Sequence, residues 1–169
     1  LMTAVFGVFV LAGCSEDDLK KTSAVLDSPT VENDFDRWLA KNYMEPYNID
    51  FKYRFKDVLG DMDYNLTPAD YGQAIKLAKL TLHLTLQVYD EVTGNRQFIS
   101  ENFPKIVHVI GSPAYNENNN IVLGVAEGGK MMTLYQVNII DYLLETKNID
   151  QLNELFFKTM HHEFGHILH

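Results

Sequence analysis

His162-Glu163-Phe164-Gly165-His166 sets two imidazoles four residues apart, with a carboxylate directly after the first. On a helix, residues i and i+4 stack on one face, so His162 and His166 could grip a single ion. Neutral imidazole nitrogen is a preferred ligand of Zn²⁺, and two such ligands leave coordination positions open. A zinc ion held there polarises a carbonyl and makes water acidic enough to ionise near neutral pH. Glu163, about 100° further round the helix, is placed to take a proton and hand it on, as general base and then general acid.

Two more histidines flank the run. His169 follows His162 by seven residues, on the same face but about 10.5 Å further along a continuous helix. Two imidazoles that far apart cannot easily share an ion whose bonds are about 2 Å long, so His169 is the lesser candidate for a third ligand. His161 points to a different face. The expected metal ligands are therefore His162 and His166, with Glu163 catalytic and Zn²⁺ the cofactor. The third ligand is expected to be a Glu, Asp or His beyond residue 169.

The elements that must position this run lie upstream. Asp150 reads as the cap of a final helix through Leu152, Leu155, Phe156, Thr159 and Met160 into the histidines. Thr67-Pro68-Ala69-Asp70 reads as an earlier helix start, with Thr as N-cap, Pro at N1 and an acid at N3. That helix should reach about Val92 and end at Thr93-Gly94-Asn95. Ile75, Leu77, Ala78, Leu80, Leu82, Leu84 and Leu86 make it apolar over a wide arc, so it is expected to be largely buried. His83 within it reads as a core or rim residue.

Three strands are expected between the helices, at 105–110, 121–126 and 131–137. Glu127-Gly128-Gly129-Lys130 is a tight hairpin connection, and Asn116 to Asn120 a turn cluster. His108 should face away from its neighbours Val107 and Val109, and is not expected to bind metal. Phe51, Tyr53 and Phe55 alternate with Lys52, Arg54 and Lys56 as a half-exposed strand, its aromatic stripe serving as core. Phe35, Trp38 and Leu39 share one face of a short amphipathic helix. A long helix, strands with a hairpin, then the helix with the zinc run is an α+β order.

The first thirteen residues carry no charge and end in Leu11-Ala12-Gly13-Cys14. So short an apolar stretch reads as the core of a signal peptide and not as a membrane span. The Leu-Ala-Gly-Cys run resembles a lipobox, with Cys14 lipidated as the mature N-terminus. Cys14 is the only cysteine, which rules out an intrachain disulfide and a cysteine-based metal site. Ser15-Glu16-Asp17-Asp18 resembles the acidic surface-export tag of some outer-membrane lipoproteins. The expected organisation is signal peptide at 1–13, lipidated Cys14 and acidic linker at 14–32, and one domain portion at 33–169. With a formal net charge of −9 and no basic run longer than Lys20-Lys21, nucleic acid is excluded as a partner.

Several runs recur here in one order: the lipobox, the acidic tag, Tyr64-Asn65-Leu66-Thr67-Pro68, Gly111-Ser112-Pro113-Ala114-Tyr115, Ala126-Glu127-Gly128-Gly129 and Lys158-Thr159-Met160-His161 into the zinc run. Together they resemble the substrate import-associated zinc metallohydrolase lipoproteins, a zincin-like group. The resemblance implies the N-terminal subdomain of a zincin-like fold, with a small twisted mixed sheet, a long backing helix and a C-terminal active-site helix. The chain would stop before the C-terminal subdomain. In such folds the edge strand of the sheet lines the cleft, here 131–137 or its hairpin partner. The resemblance also implies a metallopeptidase held at the bacterial outer membrane by its lipid, exposed at the cell surface or facing the periplasm. Its partners would be a peptide or protein substrate, the lipid bilayer and an outer-membrane import complex. A second class of function is a substrate-binding import accessory lipoprotein with a non-catalytic zinc site. The presence of Glu163 favours the enzyme, since a purely structural site has no use for it.

Overall fold

Asn33 opens the first helix with a capping box: its side chain accepts from the Asp36 N–H at 2.8 Å, and Asp36 accepts from the Asn33 N–H at 2.9 Å. The structure, a computed structural model, describes residues 32–55, 65–116 and 118–169, all within one unit, Glu32–His169. The expectations for 1–13, for Cys14 and for the acidic stretch after it lie outside the described residues. Helix α1 (Asp34–Leu39) buries Phe35 and Leu39, passes through a π-helical turn (Ala40–Met44) and ends in α2 (Glu45–Tyr47). A four-stranded mixed sheet follows in the order β1-β2-β6-β5. Its members are β1 (Asp50–Lys52), β2 (Ile106–Val109), β6 (Met131–Leu134) and β5 (Gly124–Glu127). β1, β2 and β6 run parallel, and β5 is antiparallel to β6. The arrangement is mixed α+β.

The crossover from β1 to β2 contains helices, the usual way of joining parallel strands. Helix α3 (Tyr71–Thr81) runs into a π-helical turn (Leu82–Leu86), then α4 (Gln87–Thr93), and stops at Gly94; α5 (Gln97–Asn102) follows. The expected stop is where the sequence placed it, but the start is not. Asp70, not Thr67, is the N-cap, accepting from the Gly72 and Gln73 N–H groups. Thr67 and Pro68 are held in extended chain against the end of β2, where Pro68 bridges to Ile110. Nor is the helix buried as widely as its leucines implied. Ala74, Leu77, Ala78, Leu82 and Leu86 face the core, whereas Leu84, Val88 and Val92 are exposed, as is His83.

Loops and short pairings complete the sheet. The stretch expected as one strand at 121–126 is broken at Leu123. Its first part, β4 (Ile121–Val122), pairs with β3 (Ala114–Tyr115) in a separate ladder, and its second part is β5. Gly128 and Gly129 turn the β5–β6 hairpin at φ of +54° and +71°, a region closed to most other residues. After β6 come α6 (Ile140–Glu145) and α7 (Ile149–Leu152), a third π-helical turn (Asn153–Lys158) and α8 (Thr159–Leu168). The final helical run is capped by Asn148, whose side chain accepts from the Gln151 N–H at 3.2 Å. Asp150, expected as the cap, lies inside the first turn.

The two faces of the sheet differ. Phe51, Val107, Val109, Met132 and Leu134 belong to the core shared with the helices. Lys52, His108, Thr133 and Val125 occupy one row across the opposite face. A smaller cluster covers that face, with Ile110, Ala114 and Tyr135 buried and Phe55, Leu66, Val122 and Val125 packed on them. His108 does point away from Val107 and Val109, but into this second layer and not into solvent. It is fully buried, and neither its ring nitrogens nor Thr133 Oγ1 meets a hydrogen-bond partner among the described residues.

Candidate metal centre

Phe164 fixes the orientation of α8. It is wholly buried, with ring centroids of Phe103 at 5.0 Å, Tyr89 at 5.3 Å and Phe98 at 5.9 Å. Met160, one turn earlier, is equally buried, and the Thr81 hydroxyl approaches its sulfur at 3.9 Å. With 160 and 164 committed inward, 162 and 166 must face outward. His162 and His166 are accordingly exposed, and Glu163 is half-buried.

The two imidazoles converge. His162 Nε2 and His166 Nε2 lie 3.1 Å apart with their rings nearly perpendicular. Two tetrahedral ligands at zinc bond lengths of about 2.0–2.1 Å stand roughly 3.3 Å from each other. The pair therefore fits a zinc ion in donor type, in count for one side of a tetrahedron, and in spacing. His169 closes α8 as an exposed residue. Among the described residues no group of three His, Cys, Asp or Glu is gathered that could hold a metal. His161 is turned elsewhere: its Nδ1 meets the Tyr89 hydroxyl at 3.0 Å, and burial pushes its pKa below the usual imidazole value. His83 pairs with Gln87 at the surface, and His108 sits in the sheet's second layer.

An open cleft of about 300 Å³ runs beside the run of histidines, lined by Leu123, Gly124, Glu154, Lys158, Thr159, His162 and Glu163. One wall is α8 and the π-helical turn before it; the other is the start of β5, the edge strand of the four-stranded sheet. Of the two edge candidates, the hairpin partner is thus the one beside the helix, while β6 lies inside the sheet. Gly124 lets the walls approach, because a Cβ there would lie 2.6 Å from Thr159 Cγ2. Thr159 in turn is held by its hydroxyl donating to the Glu154 carbonyl at 3.0 Å, five residues back. Of these wall residues the sequence marked His162 and Glu163 as site residues, and Leu123 and Gly124 only within the strand expected at 121–126, a candidate edge of the cleft. Lys158 was within reach of the same rule that paired the histidines, standing four residues before His162. Gly124 offered one cue, an isolated glycine in a strand, which often marks close backbone approach.

The chain is similar to known proteins. Residues 28–169 match the model of a family described as "Putative zinc-binding metallo-peptidase". The fold resembles the crystal structure of a "putative zinc-binding metallo-peptidase from Bacteroides caccae ATCC 43185" at 2.10 Å resolution. The identity is 44% and the TM-score 0.60, over 80% of this chain and 49% of that one. The chain thus spans about half the length of the solved protein. No curated protein is significantly similar to it. The family match covers most of the chain and includes the whole of α8, so the chain belongs to this family.

Proposed function

We propose that the full-length protein is a zinc-dependent hydrolase of peptide bonds. The observation that carries this reading is the 3.1 Å approach of His162 Nε2 to His166 Nε2 beside a cleft that also contains Glu163. Zinc, when bound, supplies a polarising charge for the scissile carbonyl and acidifies water. His162 and His166 would hold the ion, with a further ligand completing the site. Glu163 takes the proton of the attacking water and returns it to the departing nitrogen. The edge of β5 aligns an extended substrate by main-chain hydrogen bonds, leaving alternate side chains to the cleft.

The protein works, in this reading, as an outer-membrane lipoprotein beside a nutrient-import system. Leu11-Ala12-Gly13-Cys14 supports the lipid anchor and Ser15-Glu16-Asp17-Asp18 supports surface exposure. Replacing Cys14 with Ser should release the protein from the membrane fraction, and protease treatment of whole cells should degrade the surface-exposed form.

The decisive experiment uses the full-length protein with zinc. One zinc per chain is expected in both wild type and Glu163→Gln, with cleavage of a mixed peptide library lost by about 10²–10⁴-fold in the variant. One zinc per chain with no cleavage by either would favour the substrate-binding accessory protein, and no bound zinc would remove both readings.

A further inference from the structure

The cleft changes character along its length. Along its helical wall Glu154 and Lys158 come first and His162 and Glu163 a turn later, with Thr159 between them in the chain and Leu123 and Gly124 on the strand side. Lys158 is the one Lys or Arg among the described residues that lines it, in a protein whose formal net charge is −9. Its ammonium lies 2.8 Å from each carboxylate oxygen of Glu154. The side chains of Lys158 and Glu154 are 63% and 53% exposed, and so open an ion pair is screened by water and weakly held. A Lys ammonium has three donors on a flexible stem, so an incoming carboxylate can share Lys158 or displace Glu154 from it.

Spacing ties Lys158 to the chemistry. Four residues along a helix are about 6 Å, and an extended chain advances about 3.4 Å per residue. A substrate lying along the edge of β5, with its reacting carbonyl near His162 and Glu163, brings its next or next-but-one residue to Lys158. We propose that Lys158 is a specificity-determining residue, which takes a substrate carboxylate one or two residues from the bond that is cut. This rests on the hydrolase reading above. The carboxylate belongs either to an acidic side chain or to the free C-terminus of a short peptide.

Two sets of matched peptides separate those sources: Glu against Gln at successive positions around the scissile bond, and free-acid against amidated C-termini. The readout is the ratio of kcat/KM, acid over amide, for the zinc-loaded full-length protein. Glu163→Gln, titrated with the same peptides by calorimetry, gives the corresponding ratio of affinities without hydrolysis. In at least one set the wild-type ratio should be about 5-fold or more. It should fall to about one in Lys158→Gln, invert in Lys158→Glu, and rise in Glu154→Gln, which removes the competing carboxylate. Unchanged thermal midpoints would show that the exposed substitutions leave the fold intact. Cleavage or binding without acid preference in either set, or a preference that survives Lys158→Gln, overturns the inference alone. Zinc-loaded protein that binds no peptide overturns it together with the hydrolase reading.

Discussion

The Nε2 atoms of His162 and His166 lie 3.1 Å apart across one turn of α8, close enough to share either a proton or a metal ion. Ordering of the rings is thus achieved by the helix itself, and metal binding has little rearrangement left to do. His162→Ala and His166→Ala should each lower the zinc affinity of the full-length protein by more than about 100-fold, because each takes away a direct ligand. Acidification should also release the metal, since protons compete for the same nitrogens. Competition with a chromogenic chelator measures both; tight zinc binding in either variant would contradict the assignment.

Gly124 and Thr159 set the width of the cleft. In Gly124→Ala the new methyl group would meet Thr159 Cγ2 at 2.6 Å and the Thr133 carbonyl at 3.1 Å. A β-branched side chain on a helix has little rotamer freedom with which to withdraw, so the variant should lose about 1–3 kcal/mol of stability. Adding Thr159→Ser, which keeps the hydroxyl bonded to Glu154 but removes the methyl, should restore much of that. Urea unfolding of the two single variants and the double variant tests this coupling; additive losses would refute it.

His108 should make the protein acid-sensitive. Its burial in the sheet's second layer lowers its pKa from the usual 6.5, so the neutral form is favoured in the folded state. The unfolded chain then binds the extra proton at higher pH than the folded chain does, and stability rises with pH through that window. Stability is fully present above about 6.5 and declines as pH falls below it towards the depressed folded value. Among the described side chains, the charged groups on that face of the strands are Lys52, which shares the row, and Asp50, ion-paired with Lys52. Comparing urea unfolding at pH 8 and 5.5, with a chelator present throughout, should show a smaller acid loss in His108→Leu. An equal loss would show that other groups set the dependence.

Gly111 and Asn138 lock the ends of the strands together. Gly111 N–H donates to the Thr67 carbonyl, the Thr67 N–H donates to Ser112 Oγ, and Asn138 binds both the Asp70 N–H and the Pro68 carbonyl. A Cβ on Gly111 would fall 2.1 Å from the Pro68 carbonyl oxygen, and backbone cannot swing away as a side chain can. Gly111→Ala should therefore cost more than about 2 kcal/mol. Asn138→Ala should cost about 1–3 kcal/mol, through two lost hydrogen bonds. Thermal unfolding would check both, and a neutral Gly111→Ala would disprove the clash.

This lock also shows what the sequence could and could not reveal. Thr67-Pro68 and Gly111-Ser112-Pro113 stood out as runs, and Thr67-Pro68 looked like a helix start. In the structure they bond to each other across 45 residues of chain, which no local rule reports. Signals that act within a few residues were legible: Gly94 ending a helix, Gly128-Gly129 turning a hairpin, and the i, i+4 histidines sharing a face. Choices between nearby capping residues were not: Asp70 caps where Thr67 and Pro68 are bound to Ser112 and Ile110, and Asn148 caps two residues before Asp150. The β3–β4 ladder is two residues long on each side, too short to leave a periodic pattern. The pairing of the two cleft walls was illegible for another reason: Gly124 becomes a neighbour of Thr159 only once α8 lies along β5.

The π-helical turn Asn153–Lys158 gives the site a tolerance of chain length as well as of composition. A π turn holds one more residue than an α turn spanning the same helix, and each helical residue is worth about 100° of rotation. Phe164 and Met160 have to face the core, so the turn takes up the extra residue between the anchor at α7 and the azimuth of the histidines. Substitutions at its exposed positions, such as Asn153, leave that setting untouched. Deleting one residue within the turn would let it rewind to α over the same length and leave His162, Glu163 and His166 on their present face.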